Sequence, residues 1–223
     1  MGSWHVCALL VSGKVQCWGW NGDGEVGASA TQKEVEGDVT SPADVQGISA
    51  SAVEIAAGAK STCALLVTKQ IQCWGSGASG QLGSPTPRHC GKSRSPRCSV
   101  RPLTVRGLTG WPTALAVGRN HACSIVVTGQ VKCWGANEAG QLGNDAAQKC
   151  TEPDLNSSKS FPCSFKPLTV QGLLGKATAI AAGDSHTCAL LEGGSTQCWG
   201  ANESRQLGNG TSISSTTPVT VKP

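Results

Sequence analysis

The chain has 223 residues with 29 glycines, 11 prolines and only 14% charged residues, so turns interrupt it too often for long helices. No apolar run approaches the roughly 18–20 residues that a membrane-spanning helix needs, and we expect no membrane insertion. The formal charge of +4 is modest and is concentrated in residues 84–101, which carry five basic residues and no acid. These properties predict an all-β protein with one basic loop.

One phrase occurs four times along the chain. A segment of the type Cys-Ala-Leu-Leu is followed, ten residues after its cysteine, by Cys-Trp-Gly. The first cysteines of the four copies are Cys7, Cys63, Cys123 and Cys188, which advance by 56, 60 and 65 residues. A fixed period of this kind is typical of propellers and solenoids.

Each period predicts four short strands. The first opens with Pro-x-x-Val (42–45, 102–105, 167–170 and 218–221), and the second ends in glycine (53–58, 114–118 and 179–183). The two cysteine segments form the third and fourth strands, joined by a three-residue loop with glycine in all copies except that of Lys69. Four short antiparallel strands make one propeller blade, so this grouping predicts blades at 42–83, 102–143 and 167–208. A partial blade at 1–27 and a lone first strand at 218–222 complete one domain over 1–223.

A closure loop ending in Gln-Leu-Gly or a close variant follows each Trp-Gly pair, at 21–27, 77–83, 137–143 and 202–208. With these phrases the chain resembles the regulator of chromosome condensation repeat family, whose blades read His-x-x-Ala-Leu, Trp-Gly-x-Asn and Gly-Gln-Leu-Gly. The resemblance covers essentially the whole chain and implies a β-propeller. The usual propeller of this family has seven blades. About four blades therefore predict an open arc or partial propeller, and we expect the chain to be a fragment of a longer one.

The twelve cysteines fall into pairs. In the three-residue-loop register, the two cysteines of each hairpin face each other at a spacing suited to a disulfide. The other four flank two loop insertions at matching offsets from the closure glycine and the strand proline. The predicted bridges are Cys7–Cys17, Cys63–Cys73, Cys90–Cys98, Cys123–Cys133, Cys150–Cys163 and Cys188–Cys198. They indicate an oxidising compartment, and thus a secreted or cell-surface protein; the alternative is reduced thiols in the cytosol or nucleus.

Catalytic and metal-binding patterns are not evident. The chain has no Cys-x-x-Cys pair, nucleophile elbow or phosphate loop, so we expect a non-enzyme without metal or cofactor. His5, His121 and His186 recur at one repeat position, where the remaining copy has Ser61. We interpret them as structural, with a hydrogen bond fixing the turn into the third strand; the alternative is metal binding or catalysis. Residues 75–80 match the dinucleotide-binding pattern Gly-x-Gly-x-x-Gly. They precede no predicted helix, so we do not interpret them as a dinucleotide site.

Residues that depart from the repeat are the candidates for partner binding. Trp4 and Trp20 stand where other copies have small or polar residues, and Trp111 opens a second strand beside Pro112. None of the three belongs to the repeat pattern, and exposed tryptophan is a common hot-spot residue. The alternative is that each covers local apolar surface. Arg88, Lys92, Arg94 and Arg97 lie in the 84–101 loop, which is either a site for an acidic partner or a solvated loop. The loop lacks interleaved aromatics, so nucleic acid is not an expected partner.

The sequence therefore predicts a protein-interaction scaffold with an unidentified protein partner. The runner-up, drawn from the resemblance, is a guanine nucleotide exchange factor-like regulator of a small GTPase in the cytosol or nucleus, which would have free thiols. Three Asn-x-Ser/Thr triplets, at Asn156, Asn202 and Asn209, are compatible with secretion in a eukaryote.

Overall fold

The computed structural model describes residues 1–28, 37–86, 90, 97–145, 148–151 and 160–222. Within these ranges the regular structure is entirely β, and no helix that could cross a membrane is found there. The strands in chain order are β1 (His5–Leu9), β2 (Val15–Gly19), β3 (Val39–Asp44), β4 (Ala52–Ala57), β5 (Ser61–Leu66), β6 (Ile71–Ser76), β7 (Cys98–Thr104), β8 (Pro112–Val117), β9 (His121–Val126), β10 (Val131–Ala136), β11 (Gln148–Thr151), β12 (Ser160–Thr169), β13 (Ala177–Ala182), β14 (His186–Leu191), β15 (Thr196–Gly200) and β16 (Ser215–Thr220).

The strands form four antiparallel sheets, one for each copy of the repeat. The first sheet is β1-β2-β3, the second β4-β5-β6-β7 and the fourth β13-β14-β15-β16. The third is β8-β9-β10-β12, with the short β11 added on the outer side of β12. This is the all-β architecture of four propeller blades that the repeat predicts.

The predicted blade boundaries are wrong by one strand. Each proline-opened strand (β3, β7, β12, β16) pairs with the Cys-Trp-Gly strand before it and so closes the preceding sheet. The ranges 42–83, 102–143 and 167–208 therefore each combine the last strand of one sheet with the next sheet. The strand predicted at 218–222 is not alone, because β16 pairs with β15. The closure loop causes the shift, since it leads the chain back along its own sheet: the Val105 amide donates to the Ile71 carbonyl at 2.9 Å.

The cysteine hairpins have the predicted register. Cys63 lies opposite Cys73, and the Leu66 amide donates to the Gln70 carbonyl at 2.9 Å to close the loop. At the loop position that needs a left-handed backbone, Gly13, Gly129 and Gly194 have positive φ, and Lys69 adopts φ 63° without the freedom of glycine. A register set by the loop is what places the cysteine pairs face to face.

All six predicted disulfides are formed, and no described cysteine is free. In the four hairpins the paired Cα atoms are 4.0–4.1 Å apart, close to the spacing of a non-hydrogen-bonded strand pair. In Cys90–Cys98 and Cys150–Cys163 the Cα atoms are 5.8 Å apart, and these bridges tie the two loop insertions to β7 and β12.

The core lies between neighbouring sheets. Trp74, Trp134 and Trp199 are fully buried, each packed with apolar residues of its own sheet and the preceding one. The innermost strands follow one another around the arc, with β1 beside β4, β4 beside β8 and β8 beside β13. Among the described strands, none of the fourth sheet has a comparable packing contact with the first. The four sheets therefore form the predicted open arc.

Candidate interaction site

Trp4 and Trp20 lie together at one end of the first sheet. Trp4 precedes β1, Trp20 follows β2, and the Trp20 amide donates to the Trp4 carbonyl at 2.8 Å. The same backbone bond recurs at 2.8 Å in the other sheets, from Ser76 to Lys60, from Ala136 to Asn120 and from Ala201 to Ser185. The repeat thus fixes the backbone at this position and leaves the side chain free to vary. Here it presents two indoles, with 69% of Trp4 and 48% of Trp20 exposed.

The two indoles and Lys60 of the second sheet border a hollow of about 330 Å³. Lys60 is held by Asp23, whose carboxylate oxygen lies 3.4 Å from the ammonium nitrogen. Gly22 makes room for the Trp20 ring, because an added Cβ would come within 2.7 Å of an indole carbon. The other copies have Ala78, Glu138 and Glu203 at the position of Gly22. Gly22, Asp23 and Lys60 were not among the candidate residues predicted from the sequence, although each differs from the residues at the same position in the other copies.

A wider cleft of about 580 Å³ continues from Trp4 across this end of the molecule, which we call the aromatic end. Loops of all four sheets contribute to it, with Asp23 from the first, Lys60 from the second, Glu138 from the third and Asp184 from the fourth. Arg119 also lines it, with a guanidinium nitrogen 3.9 Å from a carboxylate oxygen of Asp184. The cleft therefore combines an aromatic rim with charges of both signs.

Trp111 does not belong to this surface. It precedes β8 and accepts a 2.8 Å hydrogen bond from the Val127 amide, at the hairpin end of the third sheet. Its side chain is 69% exposed, but the length of the sheet separates it from the aromatic end. The prediction of one face containing all three tryptophans is wrong in this respect. A comparison of the repeat copies identifies the residues that vary. It does not show at which end of the sheet they lie, because that depends on the direction of each strand.

Half of the 84–101 basic loop falls outside the described residues, including Arg88, Lys92 and Arg94. Arg97 is described and lies just before β7, with its guanidinium carbon 5.3 Å from the centre of the Phe165 ring. The Arg97 carbonyl accepts a hydrogen bond from the Gly77 amide at 2.7 Å. Arg97 thus packs by a cation–π contact, and the acidic partner of the loop stays a prediction.

Two of the three repeated histidines, His5 and His121, join neighbouring sheets. His5 Nε2 lies 2.7 Å from the Thr62 hydroxyl, and His121 Nε2 lies 2.9 Å from the Thr187 hydroxyl. Each threonine hydroxyl donates onward to a backbone carbonyl, that of Glu25 or Gln141, which makes Nε2 the protonated nitrogen. The predicted structural role is therefore right in kind, but the bond fixes the next sheet rather than the histidine's own turn.

Burial is the main cause that lowers the pKa of His5 and of His121 to about 4, so both imidazoles are neutral near pH 7. Their Nδ1 atoms are buried without a hydrogen-bond partner. Within the described part of the chain, no cluster of three or more His, Cys, Asp or Glu side chains is arranged to hold a metal ion.

The carbonyls of Glu25 and Gln141, and that of Gln81 at the same repeat position, also accept hydrogen bonds from the buried tryptophans. Trp74 Nε1 donates to Glu25 O, Trp134 Nε1 to Gln81 O and Trp199 Nε1 to Gln141 O, each at 2.9 Å. The side chain at this position accepts from the backbone two residues before it, by Gln Oε1 in three copies and by Glu25 Oε2 in the first. Burial raises the pKa of Glu25 to about 7, and its Oε1 has no partner.

The chain resembles known proteins in its repeat pattern, its sequence and its fold. Two models described as the regulator of chromosome condensation (RCC1) repeat match it, one at residues 1–25, 52–81, 113–141 and 177–206 and the other at 128–190. The probable E3 ubiquitin-protein ligase HERC3 of Homo sapiens is 32% identical over 224 residues, which cover 99% of this chain and 19% of that protein. The ultraviolet-B receptor UVR8 of Arabidopsis thaliana is 27% identical over 222 residues, which cover 99% of this chain and 44% of that protein.

Two crystal structures share the fold over the whole chain. The structure of Kap60 bound to yeast RCC1 (Prp20) gives a TM-score of 0.78 at 19% identity and is covered over 47% of the matched chain. The structure of human WBSCR16 gives a TM-score of 0.74 at 20% identity, and this chain covers 50% of the matched chain. The chain thus spans about half of these structures and a fifth or less of the HERC relatives. The repeat matches, the register of the hairpins and the shared fold lead to one conclusion: this chain belongs to the regulator of chromosome condensation (RCC1) repeat family.

Proposed function

We propose that the chain is a non-enzymatic protein-interaction scaffold that binds its protein partner at the aromatic end. The observation that carries this proposal is the exposed Trp4–Trp20 pair at a position where the repeat fixes the backbone and varies the side chain. A fixed frame with variable residues is how a repeated fold acquires specificity without new architecture. The bridged hairpins hold that frame, and a rigid surface loses little entropy when it binds.

The chemistry of the aromatic end suits a protein surface. Tryptophan is enriched among residues that dominate binding energies, and a polar rim around an apolar centre is typical of interfaces. Trp4 and Trp20 provide the apolar centre, and the Lys60–Asp23 pair provides charge beside it. The wider cleft has acids and bases from all four sheets, so a partner with charges of both signs would match it.

The repeated polar side chains support the non-enzymatic part of the proposal. His5 and His121 use Nε2 to join sheets, and their lowered pKa makes them poor proton acceptors near pH 7. The indole nitrogens of the three buried tryptophans are likewise bonded to backbone. These groups stabilise the fold and are not aimed at a ligand.

For the compartment, we propose secretion or exposure at the cell surface, because six disulfides persist best in an oxidising environment. An exchange-factor-like regulator in the cytosol or nucleus would instead keep its cysteines reduced. The test is a thiol count on the native protein, trapped with an alkylating reagent before any reductant is added. No alkylated cysteine supports the extracytoplasmic proposal, whereas twelve alkylated cysteines contradict it.

The binding proposal is tested by affinity capture from the source organism's secretions with three forms of the chain. These are the wild type, the Trp4→Ser/Trp20→Ser variant and the Trp111→Ser variant as the matched control. Because Trp111 is as exposed as Trp4 but lies at the opposite end, its replacement removes similar apolar area elsewhere. We expect the double variant to weaken capture of a specific protein by roughly 30-fold or more, the effect of losing a hot spot of about 2 kcal/mol, and the control to retain it. Equal capture by all three forms would contradict the proposal.

A further inference from the structure

Two of the three Asn-x-Ser/Thr triplets lie in described residues, and the structure separates them sharply. Asn202 begins the closure loop of the fourth sheet and is completely buried. Asn209 follows that loop in the segment leading to β16 and is only half-buried, with exposed neighbours at Gly210 and Thr211. Asn156 lies outside the described residues. The two triplets therefore differ in access although they are seven residues apart in sequence.

The side chain of Asn202 is fully engaged in the fold. Its Nδ2 donates to the carbonyls of Thr211 and Ile213, each at 3.0 Å, and its Oδ1 accepts from the Leu207 amide at 2.9 Å. Asn137 and Asn21 accept the same backbone bond in their own closure loops. Asn202 is therefore a repeat residue, and a substituent on its Nδ2 would break the loop that it organises.

Asn209 has the opposite arrangement. Its Oδ1 accepts from the amide and the hydroxyl of Thr211, at 3.1 and 2.9 Å, and from Asn202 Nδ2 at 3.3 Å, while its own Nδ2 has no acceptor within the described residues. At the equivalent position after the third closure loop, the Asn144 Nδ2 donates to the Thr169 carbonyl at 2.7 Å. Gly210 has φ +82°, which lets the chain turn so that the threonine reaches back to the asparagine. The amide nitrogen of Asn209 is thus free on a surface segment.

We propose that Asn209 is an acceptor site for an N-linked oligosaccharide and that Asn202 is not. This inference rests on the secretory route proposed above. In the transfer, Asn209 Nδ2 forms a bond to C1 of a sugar carried on a lipid pyrophosphate. The bond from C1 to the pyrophosphate oxygen breaks, the lipid pyrophosphate leaves with the electron pair, and Nδ2 gives up one proton. The Asn-x-Ser/Thr triplet is the acceptor signal for this modification, which adds a bulky group that only a surface position tolerates.

The experiment is secretion of the full chain, behind a cleavable leader, from cultured eukaryotic cells. Glycan occupancy at each asparagine is mapped by mass spectrometry after enzymatic release of the glycan in heavy-oxygen water, which converts a modified asparagine to labelled aspartate. The variants are Asn209→Gln, Thr211→Ala, the conservative Thr211→Ser and Asn202→Gln. Site-resolved mapping keeps Asn209 distinct from Asn156, and occupancy is scored on both secreted and retained protein.

We expect label at position 209 in the wild type and in Thr211→Ser, and its complete loss in Thr211→Ala. Asn209→Gln should lower the intact mass by one glycan, whereas Asn202→Gln should leave the mass of glycan unchanged. Unlabelled Asn209 in a chain with all six disulfides, or a glycan on Asn202 in folded secreted protein, would overturn the inference. Those outcomes are distinct from failure of the proposed function, which would appear as free thiols in the native protein or as unimpaired binding by the Trp4→Ser/Trp20→Ser variant.

Discussion

The junction between the first and second sheets and the junction between the third and fourth use one hydrogen-bond network with a single chemical difference. In both, a histidine donates to a threonine, and the threonine and a tryptophan converge on one backbone carbonyl. That carbonyl belongs to Glu25 in the first junction and to Gln141 in the second. Because the contact uses the backbone, it tolerates the exchange. Burial of the Glu25 carboxyl, however, disfavours its ionised form and raises its pKa.

The middle junction, between the second and third sheets, shows which hydrogen bonds of the network can occur without the others. Here Ser61 replaces the histidine and Ala122 replaces the threonine, while Trp134 still donates to the Gln81 carbonyl at 2.9 Å. The Ser61 hydroxyl is buried without a partner. The tryptophan bond is thus common to all three junctions, and the histidine and threonine are present or absent as a pair.

The largest effect is expected from the shared tryptophan. Trp134→Ala removes a fully buried indole and its bond to Gln81, and we expect it to lower the free energy of unfolding by about 3–5 kcal/mol. Trp18→Ala is the matched control, since Trp18 has the same place in the first sheet, where no described sheet precedes it, and is only half-buried. Urea unfolding of both variants measures the contrast. A loss for Trp18→Ala as large as for Trp134→Ala would show that the junction is not what stabilises the indole.

Next in size is the difference between Glu25 and Gln141. The pKa of Glu25 is about 7 in the folded chain and 4.5 as its ordinary value, so the folded state binds the proton more tightly. Stability from this group is therefore complete below pH 4.5 and is lost as the pH rises to 7. Relative to wild type, Glu25→Gln should gain about 2–3 kcal/mol between pH 4.5 and pH 8.

The reverse exchange, Gln141→Glu, is the control for this pH effect. It should transfer the same pH-dependent loss to the junction between the third and fourth sheets. Denaturant unfolding from pH 4 to pH 8 gives both profiles, and the common contribution of His5 cancels in the difference from wild type. Parallel stability curves for wild type and Glu25→Gln would show that the carboxyl is not held neutral in the folded state.

A smaller effect is expected from the threonines that relay the histidine bond. Thr187→Val keeps the shape of the side chain but leaves His121 Nε2 without an acceptor, which we expect to cost about 1–2 kcal/mol. Thr113→Val is the control, because the Thr113 hydroxyl is on an exposed residue and makes only a 3.3 Å bond to the Ile125 carbonyl. Thermal unfolding of the two variants should separate them clearly. Equal melting temperatures would mean that the relay adds nothing to the junction.

Local features of this molecule could be predicted from sequence, and features between sheets could not. The Cys63–Cys73 register follows from a three-residue loop and the two-residue period of a strand, both of which are local. Which sheet β7 joins depends on the path of the closure loop, and strand patterning does not encode it. The same holds for the separation of Trp111 from Trp4 and for the partner of His5, since each depends on how strands and sheets are placed in space.

The smallest expected effect tests whether the middle junction can be given the missing pair. Gly58 is retained beside Ser61, and in the junctions with histidine the imidazole lies against the equivalent Gly2 and Gly118. Ser61→His alone should destabilise the chain, because it buries a donor facing the methyl group of Ala122. Ala122→Thr alone adds a hydroxyl that can donate a hydrogen bond to the Gln81 carbonyl. In the double variant the histidine gains its acceptor, and we expect a favourable coupling of about 0.5–1.5 kcal/mol in a double-mutant cycle of urea unfolding. A coupling near zero would show that the network depends on more of each junction than the paired residues.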